Sequence, residues 1–304
     1  MTTDVYEDLR PLMFSIAYRM LGSVSEAEDV VQEAFLRLHR ERGQVESPKA
    51  WLSTTTTRLA IDQLRSARAR RETYVGEWLP EPLLTSGDET SRHAEVADSL
   101  STAFLVLLES LSPVERAVFL LREVFDYPYD QIAAIVDKSQ DNVRQLAVRA
   151  RRHVDERRLR FDASREERDE LARKFFAAAE EGDLEGLEAL LAEDVVLHGD
   201  GGGKAPALAR PIHGRERVAK VLLGWVRQMA GFDLDMRIVE VNGQPGAMTL
   251  DTEGAIVNVM SLDVAEGRIQ GINSIVNPDK LDHLGPVADV RALLRSVSER
   301  RRSG

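Results

Sequence analysis

Leu9, Leu12, Met13, Ile16 and Met20 recur at spacings of three and four residues, which predicts an amphipathic helix near the N-terminus. Val30, Val31, Ala34, Phe35 and Leu38 repeat the pattern for a second helix, with Ser25 and Glu28 as its capping box, and Gly43 and Pro48 punctuate before a third. Residues 1–72 therefore read as an all-helical domain. Residues 73–99, TYVGEWLPEPLLTSGDETSRHAEVADS, are rich in proline, glycine and acidic side chains and read as a linker. Their apolar island Trp78-Leu79-Pro80 is too short to form a core of its own. Helical spacing returns over 100–160. Ser112-Pro113 starts a helix through VERAVFLLREVF, a short helix follows over Tyr129 to Val136, and Asp137-Lys138 turns the chain. Ser139 then caps a longer helix over QDNVRQLAVRARRHV. A short helix, a tight turn and a longer basic helix make a helix-turn-helix, whose second helix enters the major groove of DNA. Val143, Leu146, Ala147 and Ala150 are its inward positions. Arg144, Gln145, Arg149 and Arg152 are free to reach bases or phosphates.

The pattern changes after residue 161. Two helices over 165–191 precede the strand DVVLHGD, a helix over GRERVAKVLLGWVRQMA, and four strand-like runs: FDLDMRIVEVN, GAMTLD, GAIVNVMSLDVAEG and RIQGINSIVNP. Helices followed by strands predict an α+β domain over 161–304.

Composition narrows the function. A chain of 304 residues is long enough for two or three domains. It has no cysteine, which excludes disulfides, thiolate zinc sites and cysteine nucleophiles. No apolar run reaches the eighteen or so residues of a membrane span, and the start MTTDVYEDLR is acidic, unlike a secretion signal, so a cytoplasmic location without membrane contact is expected. The net charge of -11 argues against a nucleic-acid partner only as a sum. Arginines collect in two segments, Arg58, Arg65, Arg68, Arg70 and Arg71, and then Arg144, Arg149, Arg151, Arg152, Arg157, Arg158 and Arg160, each at the end of a helical block. The stretch DGGGK (Asp200 to Lys204) suggests a phosphate cradle, but Ala205 and Pro206 follow the lysine where a P-loop needs a hydroxyl residue and a helix.

AEDVVQEAFLRLHR (Ala27 to Arg40), PKAWLSTTTTRLAIDQLR (Pro48 to Arg65) and LSPVERAVFLLREVFDYPYDQIAAIVDKSQDNVRQLAVRARRHV (Leu111 to Val154), in this order, resemble regions two and four of the extracytoplasmic function sigma factors of bacterial RNA polymerase. The resemblance implies two all-α sigma domains, the second with the helix-turn-helix, and two partners: core RNA polymerase, through its clamp helices and flap, and promoter DNA at the -10 and -35 elements. Asp29, Gln32, Glu33 and Phe35 match the helix that grips the clamp helices. Trp51, Arg58, Asp62, Arg65 and Arg68 match the segment that opens and reads the -10 element, although Trp51 reads equally well as a core residue. Arg58 stands where relatives often carry asparagine. Asp137 replaces the usual glycine of the turn, and aspartate tolerates the left-handed conformation needed there.

The C-terminal block resembles the SnoaL-like members of the NTF2-like superfamily, α+β cones that enclose a pocket, with DGGGK near the pocket rim. His198 and Asp200 could serve there as an acid–base pair. A subgroup of these sigma factors carries WLPEPL in the linker, DGGGK, and NPDKL near the end, and all three are present. The subgroup implies regulation of the sigma domains in cis through Trp78, Leu79 and Pro80, through Asp200, Gly201, Gly202, Gly203 and Lys204, and through Asn277, Pro278, Asp279, Lys280 and Leu281. Lys204 is expected to meet a carboxylate of the sigma domains or of the linker, with Glu77 and Glu81 the nearest candidates. No metal, cofactor or catalytic residue is expected. The rival reading is a SnoaL-like isomerase or cyclase, or a sensor holding an unidentified small ligand in its pocket, fused to a DNA-binding module.

Overall fold

The computed structural model of the protein describes residues 3–41, 45–71, 73–85, 99–156 and 164–295. Residues 1–73 and 104–158 form one unit, and residues 74–103 and 159–304 form another, so the described linker residues 74–85 belong with the C-terminal sheet domain.

In the first unit α1 (Thr3–Leu21), α2 (Val24–Arg40) and α3 (Pro48–Arg71) pack together. The N-cap of α2 is Ser23, whose Oγ accepts from the Glu26 N–H at 3.2 Å. This is two residues before the expected Ser25 box. Gly22, at φ +66°, turns the chain directly behind α1, which leaves Ser23 as the extended capping residue. Glu28 is free to pair with Arg10 at 2.6 Å.

The helix α4 (Thr102–Leu108) leads to α5 (Pro113–Phe119), which starts in a full capping box between Ser112 and Glu115 and runs on into a π-turn over Leu120–Val124. The helix-turn-helix follows as α6 (Tyr129–Val136) and α7 (Gln140–Asp155), with Ser139 capping α7. Asp137 adopts φ 53° and ψ 57°, the left-handed turn conformation. Val143, Leu146 and Ala147 meet Val118, Leu121, Ile132 and Ile135 in one core.

Two arginines fasten this half to α1–α3. Arg58 on α3 donates from Nε to the Ile135 carbonyl and from Nη2 to the Ala134 carbonyl, both at 2.8 Å. Arg116 on α5, buried, donates to the Arg19 carbonyl at 3.0 Å and pairs with Glu109. The accepting carbonyls lie in the last turns of α6 and α1, where no intrahelical donor remains and the helix dipole is negative. The Ser53 and Tyr127 hydroxyls meet at 2.7 Å across the same contact.

In the second unit α8 (Arg165–Glu181), α9 (Leu184–Leu190) and α10 (Arg215–Met229) cover one face of a six-stranded sheet. Its strands are β1 (Leu191–Asp200), β2 (Ile212–His213), β3 (Asp235–Val241), β4 (Gln244–Leu250), β5 (Ile256–Ala265) and β6 (Arg268–Ile275). They lie in the order β2-β1-β6-β5-β4-β3 and are antiparallel throughout except for β1 with β6. Leu197, Ile272 and Leu262 form one register row, and all three join Phe175, Leu187, Val218 and Leu222 in the core under the helices. The next row, His198, Asn273 and Ser261, projects from the opposite face, because side chains alternate along a strand.

Asp137 carries the cost of a β-carbon in the left-handed region. Asp137→Gly is expected to raise the thermal stability of the helical unit by about 0.5–1 kcal/mol, and Asp137→Val to lower it, read by thermal denaturation.

Candidate functional site

The sheet face away from α8–α10 is where residues of WLPEPL, DGGGK and NPDKL meet. Asp200, the last residue of β1, shares this face with His198, Ile275 and Val259, and its carboxylate is fully buried. The short helix α11 (Pro278–Leu281), capped by Asn277, brings Lys280 against it at 2.6 Å. The linker lies across the pair. Leu79 donates its N–H to Asp200 Oδ2 at 2.8 Å, its carbonyl accepts from the Lys280 ammonium, and its side chain enters a core with Val241, Leu250, Ile256, Val259, Ile275 and Leu281. The rings of Trp78 and Tyr74 stand 4.3 Å and 5.0 Å from the Lys280 nitrogen, which completes the ammonium's surroundings with cation–π contacts. The Tyr74 hydroxyl donates to Asp200 Oδ1 at 2.5 Å and accepts from Asn277 Nδ2 at 2.7 Å. Burial, followed by the Asp200 carboxylate, pushes the Tyr74 phenol well above its ordinary range, so it remains a donor.

Further contacts run along the linker. Glu77 Oε1 meets His198 Nδ1 at 2.7 Å, and the Pro82 carbonyl lies 2.9 Å from His283 Nε2. Leu83 and Asn242 exchange hydrogen bonds of 3.0 and 2.7 Å, and the Thr85 N–H donates to the Glu240 carbonyl at 3.0 Å. Residues 83–85 thereby bridge to the end of the edge strand β3 at Val241 and cover its Glu240 carbonyl. At the other end of the linker, Thr102 Oγ1 lies 3.3 Å from Ser261 Oγ, and the Ala103 N–H faces the Asp263 carboxylate. Asp263 is held up from the usual carboxylate range by burial, against a 2.8 Å hydrogen bond from Asn273.

The DGGGK glycines serve close approach. A β-carbon on Gly203 would stand 3.0 Å from the Val75 side chain of the linker, and one on Gly202 would stand 2.3 Å from Asn277 Nδ2; both residues also have positive φ. Among the described residues Lys204 meets neither Glu77 nor Glu81. Its ammonium pairs with Asp279, at 2.5 and 2.7 Å, because the NPDKL turn places that carboxylate beside it. Glu77 is taken by His198, and Glu81 is buried. The lysine that holds the linker is Lys280. Asp200 turns its side chain to the linker, on the face opposite the one the helices cover. Tyr74, Asn242 and His283 escaped the sequence reading; Tyr74 alone had a signal, as an aromatic close ahead of WLP in a polar stretch.

On α2, Asp29 and Gln32 are exposed and Glu33 is half-exposed, bonded to Arg37 at 2.7 Å, which holds its carboxyl below the usual range. Phe35 is a correction. It is only 5% exposed and packs against Tyr6 with ring centroids 4.7 Å apart. The apolar residue that shares a face with Asp29, Gln32 and Glu33 is Leu36, at helical spacings of seven, four and three, and it is 46% exposed. On α3, Trp51 is half-buried, Asp62 and Arg65 pair at 3.0 Å, and Arg58 is engaged with the α6 carbonyls. The side chains of Arg68, Arg70 and Arg71, and residues Arg157, Arg158 and Arg160, lie outside the described residues. Arg144, Gln145, Arg149 and Arg152 are all exposed along α7.

The chain matches three family models: Sigma-70 region 2 over residues 5–70, Sigma-70 region 4 over 101–154, and a SnoaL-like domain over 172–272. It is 37% identical over 290 residues to the ECF RNA polymerase sigma factor SigJ of Mycobacterium tuberculosis, covering 92% of this chain and 93% of the relative. It is 32% identical over 278 residues to the probable ECF RNA polymerase sigma factor SigI of the same species, covering 90% and 93%. The crystal structure of Mycobacterium tuberculosis SigJ superposes with a TM-score of 0.76 at 33% identity, over 94% of this chain and all of that one. No described helix is long and apolar enough to cross a membrane.

The two lysines separate a buried pair from a surface pair. Lys280→Ala leaves Asp200 buried without its cation and is expected to cost about 3–5 kcal/mol and to free residues 74–85 for proteolysis. Lys204→Ala, at a pair more than half exposed, is expected to cost about 0–1 kcal/mol. Thermal denaturation with limited proteolysis of both variants checks the difference.

Proposed function

The chain belongs to the extracytoplasmic function sigma factors, and from that premise we propose that its SnoaL-like domain acts as a clamp on the tether between regions two and four. The observation that carries this reading is the seating of the tether on the sheet. Leu79 is a core residue of the C-terminal domain, and its peptide is held on one side by Asp200 and on the other by Lys280. Regions two and four are meanwhile joined through Arg58 and Arg116. Binding separated -10 and -35 elements requires these regions to part, and a tether fixed at Tyr74–Thr85 and at Thr102 has little slack to allow it.

Within this reading Asp29, Gln32, Glu33 and Leu36 form the surface for the clamp helices of core polymerase. Trp51, Arg58, Asp62, Arg65 and Arg68 serve the -10 element, and Arg144, Gln145, Arg149 and Arg152 the -35 element. His198 and Asp200 are positioning groups for the tether and not an acid–base pair: both are engaged by it, and both stand on the face away from the helices. The sensor alternative has no support at these residues. One depression in this unit, lined by Glu166, Glu167, Glu170, Lys174 and Glu266, lies at α8 and the β5–β6 turn and involves neither of them.

Run-off transcription with core polymerase tests the clamp. Leu79→Ala, expected to cost the C-terminal core about 2–5 kcal/mol, should raise transcript from the full-length chain. A variant whose linker is shown by proteolysis to be free, yet which transcribes as the wild type does, overturns the clamp. For the polymerase surface, Leu36→Ala should weaken core binding without loss of stability, whereas Phe35→Ala should lower stability by about 3–5 kcal/mol.

A further inference from the structure

Val148 sits in the middle of α7 and is 66% exposed, the most exposed large hydrophobic side chain among the described residues. The helix spends its other apolar residues on the core: Val143, Leu146, Ala147, Ala150 and Val154 are all buried. Among the described residues no core takes up this isopropyl group. Valine is also a worse helix former than alanine, by up to about 0.7 kcal/mol at an exposed helical site.

Its neighbours give the position meaning. Arg144 and Arg152 are one turn before and after it, Gln145 lies three residues back, and Arg149 is adjacent, so an apolar spot is framed by four polar side chains. Three of them are held by carboxylates of the same unit: Arg144 by Asp141 at 3.2 Å, Arg149 by Glu115 at 3.7 Å and Arg152 by Glu156 at 3.0 Å. These pairs are exposed and weak, and a phosphate or a guanine edge replaces a carboxylate partner directly. The charge around Val148 therefore suits duplex DNA and no apolar protein partner. In the major groove of DNA one base alone offers an apolar group, the 5-methyl of thymine.

We propose that Val148 is a specificity-determining residue that reads the 5-methyl group of a thymine in the -35 element. The proposal rests on the reading that α7 enters the major groove there. The arginines and Gln145 set the register by polar contacts, and Val148 sets one position by excluding water between its γ-methyl groups and the thymine methyl. A methyl-sized apolar contact corresponds to about 0.8 kcal/mol, or about fourfold in affinity.

The test uses holoenzyme assembled from core polymerase and the full-length chain, with promoter duplexes selected from a randomised -35 region. Wild-type holoenzyme should enrich thymine at one position, and replacing that thymine by deoxyuridine should weaken binding about fourfold. Val148→Ala holoenzyme should lose the preference and bind both duplexes equally, while Val148→Ile retains it. Because Val148 is exposed, the alanine variant should melt at or slightly above the wild-type temperature, which separates a lost contact from a lost fold. Insensitivity of the wild type to deoxyuridine, or equal sensitivity in Val148→Ala, overturns the assignment. Arg149→Ala tells the two levels apart. If it weakens binding and flattens the salt dependence while deoxyuridine has no effect, α7 is in the groove and only the thymine reading fails. If Arg149→Ala and Arg152→Ala both leave affinity and salt dependence unchanged, the groove placement fails and the thymine reading with it.

Discussion

The arrangement of the C-terminal unit depends on one constraint: a lysine ammonium that has left water must find a full set of partners. Lys280 is 7% exposed and Asp200 not at all, so neither charge is tolerable alone. The pair is formed by residues eighty positions apart, at the end of β1 and in α11. It leaves one carboxylate oxygen for the Tyr74 hydroxyl and brings the other within reach of the Leu79 N–H. The linker supplies what the pair lacks: a carbonyl and two aromatic faces for the cation, a peptide N–H and a phenol for the anion. A polar segment is therefore ordered by a charge pair, and the leucine it carries is placed in the core as a consequence.

The helical unit solves a similar problem with a different donor. The last carbonyls of α1 and α6 have no partner within their own helices, and each receives a guanidinium from the other half of the unit. Arginine suits this role because its donors lie in a fixed fork and stay charged even when buried. Arg19 illustrates the limit: burial lowers its pKa to about 10, still charged at neutral pH. Arg58 is thus committed to the helix-turn-helix in this arrangement, and one side chain ties α3 to α6.

Sheet alternation decides how the C-terminal domain is used. The row Leu197, Ile272 and Leu262 faces the helices, and the row His198, Asn273 and Ser261 faces away from them. A histidine and an aspartate two residues apart on β1 are therefore on the same face, as an acid–base pair would need. That face is the one the linker covers, where His198 meets Glu77 and Asp200 accepts from Tyr74 and Leu79.

Much of this was legible in the amino-acid sequence because it is local. Helical spacing and the Ser139 cap gave α6 and α7 with their inward and outward residues, and the left-handed Asp137 followed from its short polar side chain. WLPEPL, DGGGK and NPDKL were legible as belonging together only through the family resemblance. Which side chain bonds which was decided by tertiary structure. Lys204 and Lys280 are both lysines in short turns, and only the placement of α11 beside β1 makes one a surface pair with Asp279 and the other a buried pair with Asp200. Phe35 and Leu36 are adjacent and apolar, and one step of 100° around α2 buries the first and exposes the second. The longer helices and strands could be read along the chain because spacing and caps act within a few residues, whereas the Ser23 cap, the two-residue β2 and the short α11 could not. Tertiary structure alone decided the pairings, because buried charges, helix-end carbonyls and the two faces of a sheet are satisfied by groups far away along the chain.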